Sequence, residues 1–272
     1  MIHFLPFLFL ASAFLSLWIY RHPKLWGTLL SISLLLGLFD GNLTSSSLLI
    51  LAGWALLWIS YTQQKTFPIR LILFTALVSL SYAFKFHWIP GFSPVTIVGE
   101  LAMGFDAPLV GFFPLALLVP LACSTTDWKQ ALTKGVWLTA LGISAMALIA
   151  IASGTVHWAL KWPSSPALRY LTNLIFTAMP EEAFYRGFIQ RELGHFFQPW
   201  KRGKLFSLLL SSLFFAFAHL YWSPSLAILG FTFIAGLLYG GVYLLSGKIE
   251  SAILCHFLLN FIHMTFFSYH AM

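Results

Sequence analysis

Ten long apolar runs follow one another along this 272-residue chain, near residues 2–20, 25–39, 48–61, 71–84, 107–123, 136–153, 170–190, 205–222, 226–245 and 251–267. Runs of this length have to leave water whole, and a bilayer is the solvent that accepts about 20 apolar residues per helix. Only 8% of the residues are charged and 59% are hydrophobic, against about 25% charged in an ordinary soluble domain. A soluble globule, a disordered chain, a coiled coil and a disulfide-stapled secreted scaffold are thereby excluded. A transmembrane barrel is excluded too, because its strands alternate polar and apolar residues over about ten positions. The expected fold is all-α: a polytopic helical membrane protein of about ten transmembrane helices, eight at the fewest. The second, third and fourth runs are short enough to be tilted, interfacial or re-entrant instead.

Basic residues test that reading, since they collect in cytoplasmic loops. With the ten runs as spans, Arg21, Lys24, Lys65, Arg70, Lys129, Lys134, Arg191, Lys201, Arg202, Lys204 and Lys248 fall in one set of loops. Lys85, Lys161 and Arg169 fall in the other, and Arg186 lies inside a run. Both termini are therefore expected outside. The net charge of +7 follows from this topology and from anionic lipid, so no nucleic-acid partner is expected. Trp18, Trp26, Trp128, Trp137, Trp200 and Trp222 sit near run ends, where amphipathic rings settle, whereas Trp54 and Trp58 do not. The first run lacks a preceding basic residue and is expected to be retained rather than cleaved as a signal peptide. Cys123 and Cys255, both in apolar stretches, are expected as buried free thiols. Residues 85–106, with their aromatics and prolines, are expected as an ordered interfacial or re-entrant connection.

Six of the eight acidic residues, Asp40, Glu100, Asp106, Asp127, Glu192 and Glu250, fall in loops or at run ends. Glu181 and Glu182 fall in the middle of a run, where each charge costs on the order of 3 kcal/mol. Arg186 follows Glu182 by one helical turn, so these two can neutralise each other. Glu181 points about 100° away, with no cation of its own on the helix. Desolvation and its like-charged neighbour should then raise its pKa, which suits a base that activates water. Pro180 is positioned to kink this helix. In the next run Phe215 and His219 stand in an FxxxH spacing, and in the last His256 and Asn260 share a face at i and i+4. Taken alone, each of these polar residues could equally be a hydrogen bond between helices. His263 continues that face and is read as packing or interfacial.

Glu181-Glu182-x-x-x-Arg186, Phe215-x-x-x-His219 and His256-x-x-x-Asn260, in that order on three separate runs, resemble the motifs of the CAAX prenyl protease 2 and bacteriocin-processing family, known as CPBP or Abi. The resemblance covers about residues 165–267. It implies an intramembrane endopeptidase with its site inside a C-terminal helical bundle. Glu181 with His219 would deprotonate a water, His256 and Asn260 would stabilise the oxyanion, and Glu182 and Arg186 would hold the base in position. A zinc reading uses Glu181, His219 and His256 as ligands. With no HExxH motif, the glutamate-only reading is preferred and no cofactor is expected. Counting along the spans puts Glu181 about 14 Å, His219 about 21 Å and His256 about 8 Å deep, depths that one site would have to reconcile.

The expected organisation is one continuous membrane domain, with six helices over residues 1–164 and a four-helix catalytic core over residues 165–272. The expected substrate is a membrane-associated or lipidated, CAAX-like protein or peptide, and the lipid bilayer is the expected surrounding. Short loops and the lack of a transit peptide point to a bacterial inner membrane. Two other readings use the same residues: an ion- or proton-coupled transporter relaying charge through the buried carboxylates, and an immunity protein that binds a peptide without cutting it.

Overall fold

The computed structural model describes residues 2–99, 101–163, 165–220 and 225–269, so Glu100, Trp222 and His270 lie outside the described residues. Each of the ten apolar runs holds a helix, and the protein is a helical membrane protein. By length and composition, Ser45–Gln63, Phe67–Lys85, Thr125–Ala152, Leu226–Ser246 and Ile249–Phe266 are able to cross a bilayer, while Leu5–Ile19, Pro23–Phe39, Asp106–Leu117 and Gly203–His219 are shorter. The third and fourth runs, only about 14 residues of unbroken apolar sequence each, belong to the longer group. Their helices extend into flanking polar residues that the apolar run does not include.

The chain divides into two compact units, residues 1–119 with 175–181, and residues 120–174 with 182–272. The first contains α1 (Leu5–Ile19), α2 (Pro23–Phe39), α3 (Ser45–Gln63), α4 (Phe67–Lys85) and α5 (Asp106–Leu117). Its core is aromatic. Phe7 and Phe14 pack 5.0 Å from Phe105 and Phe112 respectively, and Phe176 meets both edge-on. Trp54 and Trp58, out of place in an interfacial belt, are 2% and 0% exposed. Trp54 packs against Phe84 and Phe113 in that same unit. Arg21, expected as a loop charge, donates to the carbonyls of Leu115, Ala116 and Val119. It thereby satisfies acceptors left open at the α5 C-terminus and complements the negative end of that helix.

The described residues between 85 and 106 form more than an irregular loop. They contain the antiparallel strands β1 (Val95–Val98) and β2 (Leu101–Met103), and Phe92 bridges to Leu43. Also in this unit, Gly111 of α5 lies against the backbone of Pro180 so closely that an added Cβ would overlap it. Neither backbone can yield without moving a helix. Gly111→Ala is therefore expected to destabilise the protein by about 1–3 kcal/mol, visible as a lower thermal midpoint in detergent; an unchanged midpoint would contradict this close approach.

The second unit contains α6 (Thr125–Lys134), α7 (Val136–Ala152), β3 (Val156–Trp158), α9 (Gly203–His219), α10 (Leu226–Ser246), α11 (Ile249–Phe266) and β4 (Phe267–Tyr269). Helix α8, the continuous helical run over residues 166–196, gives its residues 175–181 to the first unit and the others to the second. Helix α6 is additional to the ten runs and starts from a reciprocal cap. The Ser124 hydroxyl accepts from the Asp127 amide, and the Asp127 carboxylate accepts from the Ser124 amide. Strands β3 and β4 pair antiparallel, with His157 opposite Ser268.

Three expectations about burial change. Glu192 is fully buried and Glu250 is 3% exposed, although both sit at the ends of apolar runs. Glu250 accepts from the Ala122 amide at 2.7 Å, a bond that offsets part of its desolvation. Cys123 is a free thiol but exposed, because it lies in the short non-helical stretch before α6; Cys255 is free and buried.

Candidate active site

Helix α8 is distorted on both sides of the carboxylate pair. Pro180 has no N–H to give to the carbonyl one turn back, and its ring crowds that carbonyl. The strain is taken up in a π-helical stretch at Leu174–Ala178, and a second one follows at Tyr185–Gln190. Between them, Met179–Phe184 is regular α-helix and carries both glutamates. Widened turns of this kind are frequent at functional sites.

Glu182 and Arg186 are both fully buried, and the Arg186 Nη1 donates to Glu182 Oε1 at 3.1 Å. The second guanidinium nitrogen, Nη2, donates to the Gly236 carbonyl at 2.9 Å. Phe215, Tyr239 and Tyr185 stand with their ring centroids 4.7, 5.3 and 5.8 Å from the guanidinium carbon. The charge removed from water is thus returned as two hydrogen bonds and three cation–π contacts. One turn further along, Gln190 Nε2 donates to the Gly240 carbonyl at 3.1 Å. Arg186 and Gln190 on α8 therefore read successive turns of α10. The absence of side chains at Gly236 and Gly240 allows this. A Cβ on Gly236 would stand 3.0 Å from Ser212 of α9, and one on Gly240 would stand 2.5 Å from the Gln190 amide oxygen.

His256 of α11 completes the cluster. Its Nδ1 lies 2.7 Å from Glu182 Oε1, and its ring stacks on Tyr239 at 4.5 Å. A carboxylate only accepts, so Nδ1 carries the proton of this bond. The same logic applies to His219 at the end of α9. Its Nδ1 lies 2.8 Å from the Phe215 carbonyl, which also only accepts. Both imidazoles are oriented through Nδ1, and Phe215 touches both rings, with centroids 4.6 Å from His219 and 5.8 Å from His256. The depths counted along the spans set these two histidines apart by many ångströms. That counting takes helices as starting from one plane and running parallel, and the contact of Phe215 on α9 with His256 on α11 does not follow it.

Asn260, one turn after His256, donates from Nδ2 to Asn173 Oδ1 at 3.4 Å. His219, His256 and Asn260 line one cavity of about 410 Å³ in the second unit, together with Tyr239, Thr232 and His263. The remaining wall is largely apolar, from α7, α10, α11 and the β3–β4 ribbon. In such a medium a donor aimed at a developing negative oxygen acts more strongly than in water.

Glu181 belongs to the first unit. There Lys85 Nζ donates to its Oε1 at 2.7 Å, the two side chains being 12% and 18% exposed. The cation beside Glu181 thus comes from α4. Among the sequence-named residues, the structure joins Glu182, Arg186 and His256 directly and sets His219 and Asn260 on the same cavity. Sequence reasoning missed Lys85, Asn173, Tyr239, Gln190 and the cavity position of His263. Only one of these gaps had a readable signal, the Gly236-Leu-Leu-Tyr-Gly240 spacing that marks close helix approach. Among the described residues no group of three His, Cys, Asp or Glu side chains is placed to hold a metal ion. The steps proposed below are written for the chain's own side chains.

Residues 162–262 match the family model described as Rce1-like, type II CAAX prenyl endopeptidase Rce1-like. The matched stretch contains all three motifs. No curated protein and no solved structure matches the chain.

Proposed function

Residues 162–262 are an Rce1-like stretch, of the type II CAAX prenyl endopeptidases, and from that premise we propose that this membrane protein is an intramembrane endopeptidase that hydrolyses a membrane-associated, CAAX-like peptide with glutamate-activated water. The observation that carries the reading is the division of labour between neighbouring carboxylates. Glu182 is fully buried and committed to Arg186 and His256, so it positions rather than reacts. The base is then Glu181, whose side chain is 18% exposed.

In this reading Glu181 takes a proton from water as the water oxygen bonds to the scissile carbonyl carbon, the role that the motifs imply for it together with His219. Negative charge builds on the carbonyl oxygen and is met by His256 Nε2–H and the Asn260 amide. With its Nδ1–H given to Glu182, His256 donates to that oxygen through Nε2–H in its doubly protonated form. The C–N bond then breaks and the proton held by Glu181 passes to the leaving amine. Arg186 and Glu182 are positioning residues.

The test is cleavage of a cysteine-lipidated peptide with a CAAX-type end by the full-length protein in liposomes, with products identified by mass. Wild type is expected to release one defined C-terminal fragment, and His219→Ala and His256→Ala to lose it. Absence of cleavage by wild type, together with proton flux across the same liposomes, would instead support a transporter. Specific binding of the peptide without cleavage would support the immunity-protein reading.

A further inference from the structure

We propose that Lys85, which lies outside the family-matched residues 162–262, is a positioning residue for Glu181 and fixes the carboxylate that takes the proton from water. The proposal rests on the proteolytic reading above. Lys85 Nζ donates to Glu181 Oε1 at 2.7 Å, so one carboxylate oxygen is engaged and the proton of the water goes to the other. Lys85 keeps its own protons throughout, and the proton taken up by Glu181 leaves with the amine.

A lysine ammonium sits on a long flexible stem, so a bond to it orients a carboxylate only if the backbones of both partners are held. Helix α5 holds both. On the Lys85 side, α4 ends in a turn in which the His87 amide donates to the Phe84 carbonyl and the Trp88 amide to the Ala83 carbonyl. That turn puts His87 at φ +55°, a position where glycine is the usual residue. The imidazole gives the reason for a histidine there: His87 Nδ1 pairs with the Asp106 carboxylate, whose other oxygen accepts from the Ala107 amide in the first turn of α5. Phe84, next to Lys85, is 1% exposed and packs on Trp54 at 4.6 Å and Phe92 at 5.4 Å.

On the Glu181 side, Gly111 of α5 lies against the backbone of Pro180, the residue before the carboxylate. Asp106 and Gly111 are five residues apart on one helix, a separation of about 7.5 Å. Lys85 and Glu181 are thus each within two residues of a contact to the same rigid element, which sets the distance between them. Neutralising two charges asks only for proximity. A backbone held beside each partner is what orienting a base requires.

Cleavage of the lipidated CAAX-type peptide by the full-length protein in liposomes tests the proposal. Lys85→Met keeps the apolar stem and removes the ammonium. It is expected to lower kcat by about 10- to 100-fold, the cost of displacing a reacting group by about 1 Å, at unchanged KM, and Lys85→Arg should recover most of that loss. In a Glu181→Gln background, Lys85→Met should cost nothing further. His87→Gly suits the turn and should fold, yet it releases the end of α4 from Asp106; it is expected to lower kcat in the same way and serves if Lys85→Met fails to fold. Wild-type kcat in folded Lys85→Met or, where that variant does not fold, in His87→Gly, equal losses in Lys85→Met and Lys85→Arg, or the full loss again in the Glu181→Gln background would overturn the positioning role while leaving the protease reading intact. Absence of cleavage by wild type would overturn both.

Discussion

Arg186→Ala is expected to lower the stability of the second unit by about 3–5 kcal/mol, the range for removing one partner of a buried ion pair. The side chain is fully buried, and its loss leaves Glu182 in hydrocarbon with only His256 to hold its charge. The Gly236 carbonyl loses its side-chain donor in the same step. Removing both charges together should be far milder. The pair Glu182→Gln with Arg186→Met keeps the volume and leaves no unpaired charge, so its thermal midpoint should lie well above that of Arg186→Ala. Equal midpoints for the two variants would mean that the pair is not what holds α8 against α10. Both variants should lose most activity, because the hydrogen bond that sets the His256 tautomer comes from a Glu182 carboxylate held by Arg186.

Glu181→Gln is expected to cut kcat by about 10²–10⁴-fold, the usual contribution of a general base, with little change in KM. The substitution keeps shape and removes only the ability to take a proton. The Lys85–Glu181 pair is 12% and 18% exposed, whereas the Glu182–Arg186 pair is fully buried, so the stability loss should be small beside that of Arg186→Ala. Glu182→Gln is the contrasting case. It weakens the bonds to Arg186 and His256 at once, and so should lower the thermal midpoint as well as the rate. Steady-state kinetics and thermal unfolding on the two variants separate the roles. A slow, unstable Glu181→Gln beside an active Glu182→Gln would reverse the assignment of base and positioning residue.

The fold class was legible because hydrocarbon imposes one rule everywhere: a backbone crossing it must bond to itself, so apolar runs of sufficient length become helices. All ten runs do. What was less legible is polar structure near run ends. Helix α6 begins at Ser124-x-x-Asp127, a capping pattern visible in the sequence, yet its composition is not apolar enough to register in a hydropathy reading. Glu192 and Glu250 also sit at run ends, and their burial depends on neighbours such as the Ala122 amide that come from distant parts of the chain.

The sequence by itself determined the helices, the cost of two glutamates within one of them, and the i to i+4 pairing of Glu182 with Arg186. These follow from local geometry and the energetics of charge in an apolar medium. Tertiary structure alone decided that His256 donates from Nδ1 to Glu182, that α4 delivers Lys85 to Glu181, and that His219, Asn260 and His263 face one cavity. Those pairings join residues far apart along the chain. They depend on helix offsets and on close approaches at glycines such as Gly236 and Gly111, which a one-dimensional pattern of polar and apolar residues does not encode.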